Sequence, residues 1–272
     1  MKRLTTVIII IILLSVARMN AQDMQKGQFT AEKNVIDGGY NFWVYTPGDY
    51  EPDGHPLPLI IFLHGASLCG NNMQRVLRYG TLDAIQKGMR IPMLVVAPQN
   101  PGGAWKPSKL NDMLEWVKDS FNVDSNRVYV LGMSLGGYGT LDFTAAYPEK
   151  VAAAMALCGG CSMKDVTPLG SVPLWIMHGT ADRAVGLQNS KRVVSQLQST
   201  GNDHLLRYDW VKGGSHALLA RMFYLQKTYD WLISHSLLDN PKEVDNNFSI
   251  TRDDMSTSYR SLHIDLSQYE KD

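Results

Sequence analysis

The sequence predicts an α/β fold: one mostly parallel sheet of about eight strands with helices on both faces. Three observations predict it. Short β-rich runs alternate with amphipathic helical stretches, the pattern of helices packed on a parallel sheet. Several of the runs, Leu59–Leu63 above all, are continuously apolar, as strands buried on both faces must be. Finally, 272 residues that are 44% apolar and 19% charged suit one large domain with a sizeable core.

In order along the chain, residues 34–46 read as two early strands joined by a hairpin. Val35-Ile36 leads to a turn at Asp37-Gly38-Gly39, and Tyr40 to Thr46 returns. A loop rich in Pro, Gly and Asp (47–58) leads to the strand 59–63. A strand over 93–97 follows, ended by Pro98, then a helix over 112–120 with Asn111 as its N-cap. Strands are expected at 127–131, 151–157, 173–177 and 205–211. Helices are expected at 136–147, stopped by Pro148, at 188–199, ended by Gly201, and as one long C-terminal helix at 217–234. Residues 239–272 are polar with scattered apolar positions, and read as an extension that is either a mobile tail or a strap laid on the surface. The domain reading is thus an export signal at 1–21, a catalytic domain at 22–236 and a polar C-terminal extension at 237–272.

The signal rests on Lys2 and Arg3, the apolar run Val7–Leu14, and small residues at Ser15, Ala17 and Ala21; cleavage after Ala17 fits the small-residue pattern better, and cleavage after Ala21, further from the apolar run, is the one adopted. The run is short for a membrane span, and no later segment is apolar for about 18 residues, so an exported protein, periplasmic or extracellular, with no span after cleavage is expected. Removing residues 1–21 leaves 23 basic against 26 acidic residues. That balance gives no electrostatic reason to seek nucleic acid or anionic lipid. Cys69, Cys158 and Cys161 make an odd count in a chain expected to be exported. Cys158-Gly159-Gly160-Cys161 lacks the second ligand pair a zinc site needs, so no metal is expected. A structural disulfide and inert buried thiols both remain open, including a bridge from Cys69 to one of the pair.

The chemistry is carried by Gly132-Met133-Ser134-Leu135-Gly136, with Gly137 following. A β-rich run precedes this G-x-S-x-G and a helical stretch follows. That context describes a sharp strand-to-helix turn displaying a serine hydroxyl at the carboxyl edge of the sheet. Serine is a poor nucleophile until a base takes its proton. In this arrangement the acid and then the histidine follow the serine along the chain. His216, in Gly213-Gly214-Ser215-His216, comes after the last strand and is the expected base. Asp182, after the strand at 173–177, is the expected acid, ahead of Asp165, Asp203 and Asp209. The oxyanion hole is expected from the backbone N–H groups of Leu135 and of Ala66, in the loop His64-Gly65-Ala66-Ser67. His64 and His178 are expected to organise their loops. Trp105, in the loop after the strand at 93–97, either lines the substrate pocket or packs its loop.

With these residues together, the chain resembles the α/β-hydrolases of the dienelactone-hydrolase and carboxylesterase branch. It looks most like exported bacterial esterases of feruloyl, acetyl-xylan and polyhydroxybutyrate-depolymerase type. The carrying segments are Phe62-Leu63-His64-Gly65, Gly132–Gly137, His178-Gly179-Thr180-Ala181-Asp182 and Gly214-Ser215-His216. The resemblance implies a three-layer fold and a serine carboxylic-ester hydrolase that forms an acyl-enzyme and needs no cofactor. Small-molecule or polysaccharide-linked esters, acetyl or feruloyl, are the implied substrates. Dienelactone hydrolases use cysteine where this chain has Ser134, which argues against dienelactone as substrate. The short connection at 160–172 leaves no room for a large lid. A serine peptidase, an acyltransferase with the same triad, and a silent binding scaffold remain the alternatives.

Overall fold

Alternation of side chains along each strand sorts the apolar residues onto two faces of a single sheet. Ile60 and Phe62 join one core, while Leu59, Ile61 and Leu63 join the other. The computed structural model describes residues 27–262. The export-signal reading, and the last ten residues of the extension, lie outside them.

The strands are β1 (Gln28–Glu32), β2 (Asn41–Thr46), β3 (Leu57–Leu63), β4 (Leu94–Gln99), β5 (Val123–Met133), β6 (Ala153–Leu157), β7 (Leu174–Gly179) and β8 (Leu206–Val211). Their order across the sheet is β1-β2-β4-β3-β5-β6-β7-β8. β1–β2 and β2–β4 are antiparallel and every other neighbouring pair is parallel. The sheet is therefore open, mostly parallel and eight-stranded, as the sequence predicts.

Helices α1 (Thr81–Gln86), α2 (Pro107–Ser120), α3 (Leu135–Ala146) and α4 (Gln188–Ser199) alternate with the strands. α5 (His216–Leu219), α6 (Gln226–Ile233) and α7 (Arg252–Thr257) follow β8. Leu110, Met113, Leu114 and Val117 of α2 fill one face together with Leu141 and Phe143 of α3 and Val193, Val194 and Leu197 of α4. The other face is closed by Leu82 and Ala84 of α1 and by Tyr229, Trp231 and Leu232 of α6.

Four expectations are corrected. The first strand is Gln28–Glu32, not Val35-Ile36. Phe29 and Ala31 pack on the core, whereas Val35 is 37% exposed in the connection. Pro98 lies inside β4, opposite Phe42. Pairing with β3 ends at Val96, so the missing proline N–H falls beyond that ladder. α2 begins at Pro107, with Lys106 rather than Asn111 as N-cap; proline suits the first helical position, where its N–H would have no partner.

The long C-terminal helix is broken. Ala220–Tyr224 is a 3₁₀ turn and Leu225 is extended (φ −115°, ψ 124°). Met222, Phe223 and Tyr224 are consecutive and all buried. Thr228 Oγ1 and Tyr229 OH donate to the carbonyls of Met222 and Phe223 (both 2.7 Å), filling bonds that the break leaves open.

Residues 250–262 pack against the core. Ile250, Met255 and Leu262 are buried in it, and Thr251 and Asp254 form a reciprocal capping box that starts α7. Met255 has no exposed surface. Met255→Ala should therefore cost about 2–5 kcal/mol in urea unfolding, as for other buried methionines. A cost below about 0.5 kcal/mol would mean the segment contributes nothing to the core.

Candidate active site

β5 lies inside the sheet, and its carboxyl end runs straight into α3 through Ser134. Ser134 takes φ 60°, ψ −122°, in the region disfavoured for side-chain-bearing residues. Three glycines permit that turn. A Cβ on Gly132 would lie 2.4 Å from Gly136 O, one on Gly136 would lie 1.8 Å from Leu63 O, and one on Gly137 would lie 2.5 Å from Leu157 O. Ser134 N–H donates to Leu157 O (2.8 Å), tying the turn to the end of β6. Leu135 is the first residue of α3, so its N–H has no acceptor within the helix.

The loop after β3 sits directly against this turn. A Cβ on Gly65 would lie 3.4 Å from Ser134 Cβ. His64 is fully buried and sets the loop's shape. Its Nδ1 donates to Gly65 O (2.8 Å), and its Nε2 accepts from Asn100 N–H (3.1 Å), which fixes one neutral tautomer. Burial pushes its pKa down to about 4, against the pull of the Gly65 carbonyl. Gly65 O also accepts from Leu68 N–H (3.1 Å). In a planar trans peptide the N–H points opposite to the C=O, so anchoring Gly65 O fixes the direction of Ala66 N–H. Tyr79 OH accepts from Gly65 N–H (2.8 Å) and holds the loop from the other side.

β7 and β8 supply the other half. Asp182 lies three residues beyond the end of β7, and its side chain has no exposed surface. Its Oδ1 accepts from the N–H groups of Ala184 and Val185 (2.8 and 2.9 Å), and its Oδ2 accepts from His216 Nδ1 (2.6 Å). Burial works against the charge, but bonds from Val185, His216, Cys158 and Ala184 outweigh it and hold the carboxyl below its usual range. His216 opens α5 behind its N-cap Ser215 and is 26% exposed. With Nδ1 committed to Asp182, Nε2 is left as the ring's base.

The structure brings Asp182 and His216 into contact, and Ser134 is bonded to Leu157, the residue before Cys158, whose sulfur lies near both. Ser134 Oγ makes no hydrogen bond among the described residues, and catalytic contacts of this kind often close only with substrate bound. Ala66 and Leu135 flank the serine turn. Trp105 stands apart. It is 2% exposed, edge-on to His64 and Tyr40 (5.0 and 5.3 Å between ring centroids), and pressed against Gly139. It packs the loop rather than facing an open cleft. His178 is a loop organiser, with Nδ1 2.7 Å from Ser190 Oγ and Nε2 3.0 Å from Val185 O. Burial lowers its pKa.

Sequence reasoning missed two residues here. One is Tyr79, which lies 14 positions from the glycine it holds. The other is Cys158. All three cysteines are free, so none of the expected bridges forms. The Cys161 thiol donates to Asp142 (3.3 Å). Cys158 is fully buried at φ 49°, and its sulfur lies within 4.8 Å of an Asp182 carboxylate oxygen and a His216 ring nitrogen. Its place directly after β6 was the available signal, since β6 lies between the strands that carry Ser134 and Asp182. These three groups are spaced so that they could converge on a cation. The donors already on Asp182 make a hydrogen-bond network the better description of this trio.

Against this geometry the likenesses to known proteins can be set. A family model described as phospholipase/carboxylesterase matches residues 108–234. The crystal structure of a thermostable esterase matches with a TM-score of 0.62 and 25% identity, covering 78% of this chain and 64% of that one. The chain has the α/β-hydrolase fold. Two curated proteins are also similar to it. A bifunctional acetylxylan esterase/xylanase of Neocallimastix patriciarum is 29% identical over 57% of the chain, and acetylxylan esterase A of Emericella nidulans is 25% identical over 53%. The chain spans only 23% and 51% of their respective lengths. No helix among the described residues is long and apolar enough to cross a membrane.

The buried, neutral His64 makes stability depend on pH. Its folded pKa lies below its unfolded value of about 6.5, so unfolding takes up a proton between those limits. The protein should lose stability as pH falls from about 6.5 to about 4, by up to about 3 kcal/mol from this one group. In denaturant unfolding at several pH values, His64→Gln should show a flatter slope across that window. An unchanged slope would mean that His64 is not held neutral.

Proposed function

We propose that this α/β-hydrolase is an exported serine carboxylic-ester hydrolase, with Ser134 as nucleophile, His216 as base and Asp182 as its partner. One observation carries the reading. The 2.6 Å bond from His216 Nδ1 to a buried, ionised Asp182 leaves Nε2 free at the sheet edge where the strained serine is displayed.

In the proposed cycle Ser134 Oγ attacks the ester carbonyl while His216 Nε2 takes its proton. Asp182 stabilises the imidazolium that forms. The N–H groups of Leu135 and Ala66 receive the oxyanion. The tetrahedral intermediate collapses as His216 protonates the departing alcohol, leaving an acyl-serine. Water, deprotonated by His216, then attacks the acyl carbon and releases the acid. The residues supply every proton movement, so the reading calls for no cofactor.

Acetyl or feruloyl esters carried by a polysaccharide are the substrates we infer. Two features support this. The matched curated relatives are acetylxylan esterases by name, and between β6 and β7 the chain offers only the 3₁₀ turn Thr167–Ser171, leaving Ser134 and His216 part-exposed without a covering helix.

Hydrolysis of p-nitrophenyl acetate, p-nitrophenyl butyrate and methyl ferulate tests the proposal. Ser134→Ala should lower kcat by about 10⁶ and Asp182→Asn by about 10⁴, the losses seen in comparable triads. Folded protein that turns over no ester would remove the esterase reading. Retention of activity in Ser134→Ala would remove the assigned nucleophile.

A further inference from the structure

A hollow of about 260 Å³ opens between the β1–β2 hairpin and residues 71–74, outside the groups assigned to chemistry. It lies at the same edge of the sheet as Ser134. Asn41, which lines it, pairs with Gln99 at the carboxyl end of β4. Gln99 in turn donates to Leu68 O (2.8 Å), in the loop that carries Ala66. From β5 to β2 is three strand spacings, so the hollow lies about 14 Å to one side of the nucleophile's strand.

The hollow exists because of a small residue. Ala31 stands directly opposite Trp43 in the β1–β2 register, and its methyl leaves space beside the indole. Trp43 is held still, since its Nε1 donates to Met73 O (2.9 Å). Around this aromatic wall stand four amides: Asn41, Asn71, Asn72 and Gln74. Asn41 Oδ1 already accepts from Asn34 N–H (2.7 Å), and Asn72 Oδ1 from Gln74 N–H (3.0 Å). Their NH₂ groups are the ends left to bind a ligand. Asn71 and Gln74 are exposed and offer both donor and acceptor. Among the described residues, Lys33 is the one charged residue lining it, and no carboxylate does.

Trp43, buried but for 9% of its surface, gives the hollow an apolar edge, and amides around such an edge suit a sugar, whose ring carries apolar C–H edges and neighbouring hydroxyls that both donate and accept. We propose that this hollow is a glycan-binding subsite for a neutral oligosaccharide, which holds a polysaccharide chain about three strands from the ester being cleaved. The proposal deepens the esterase reading and rests on it for the link to catalysis. The subsite would add binding equally to ground and transition states, so it should act on KM and leave kcat unchanged.

The test compares wild type with Ala31→Leu, which fills the hollow, and with Asn71→Ala/Gln74→Ala, which strips two amides without altering the sheet. For an acetylated xylo-oligosaccharide, KM should rise about tenfold in both variants with kcat unchanged. Turnover of p-nitrophenyl acetate, too small to reach the hollow, should stay at the wild-type level. Unesterified xylopentaose, titrated by calorimetry, should bind wild type saturably and bind both variants at least tenfold more weakly. This arm needs no ester turnover, so it stands even if the enzyme proves inactive on esters. Absence of saturable xylopentaose binding to wild type would overturn the proposal. So would wild-type affinity in the amide double variant, or an equal loss on both ester substrates.

Discussion

The site depends on one steric constraint: at the end of β5 the chain must reverse into α3 within a single residue while pressed between β3 and β6. The carbonyl of Leu63 occupies the space where a Cβ on Gly136 would stand, and the carbonyl of Leu157 does the same for Gly137. Any side chain at these positions would push α3 off the sheet. The strain at Ser134 persists because packing and the bond to Leu157 over-determine the turn. Its consequence is chemical: the hydroxyl and the first N–H of α3 are presented together, at the open edge of an otherwise filled sheet.

Around that turn, the two flanks of the sheet do different work. β3 and β4 hold a neutral, hydrogen-bonded frame. His64 binds the Gly65 carbonyl on one side and Asn100 N–H on the other, so the loop's peptide planes are fixed without adding charge near a developing oxyanion. β7 and β8 hold the charge. Asp182 is buried, yet it collects two backbone N–H groups, an imidazole and a thiol. A buried carboxylate with fewer donors would protonate instead of ionising, and could not orient an imidazolium. Cys158 belongs to this account. A thiol is a weak donor of modest size, and with burial pushing its pKa up it stays protonated and neutral against the carboxylate.

The parts legible in the sequence were those governed by local rules. Continuous apolar runs gave β3, β4, β6 and β7 within a few residues, and G-x-S-x-G in its strand–helix context gave the serine turn. The order of acid and histidine along the chain singled out Asp182 and His216, which the fold then joins. Long-range packing was harder to read. Gln28–Glu32 reads as polar, yet it pairs with β2 at the sheet's edge, where one half-buried face suffices. Met222-Phe223-Tyr224 fits helical propensity, and nothing local in the sequence marks the break to extended Leu225. Tyr79 carries no local signal, since it acts through a residue distant in sequence, and Cys158 carries only its place directly after β6. The polar stretch after Ser236 hides its packing because its apolar residues, Ile250, Met255 and Leu262, are sparse and follow no single period.

The sparse connection after β6 has a consequence for selectivity. Lids bury a substrate from above and can recognise it by enclosure. Here Ser134 lies part-exposed, and Trp105, the aromatic residue best placed by sequence to form a wall, is consumed by packing against Gly139 and His64. An open site of this kind offers little surface around the reacting carbonyl itself. In the proposed reading, discrimination comes from contacts made sideways along the sheet edge, where β2, the 64–74 loop and the end of β4 meet. Such an arrangement suits an ester that is a small branch on a long chain: the acyl group needs only the oxyanion donors, while the chain that carries it supplies the binding energy elsewhere.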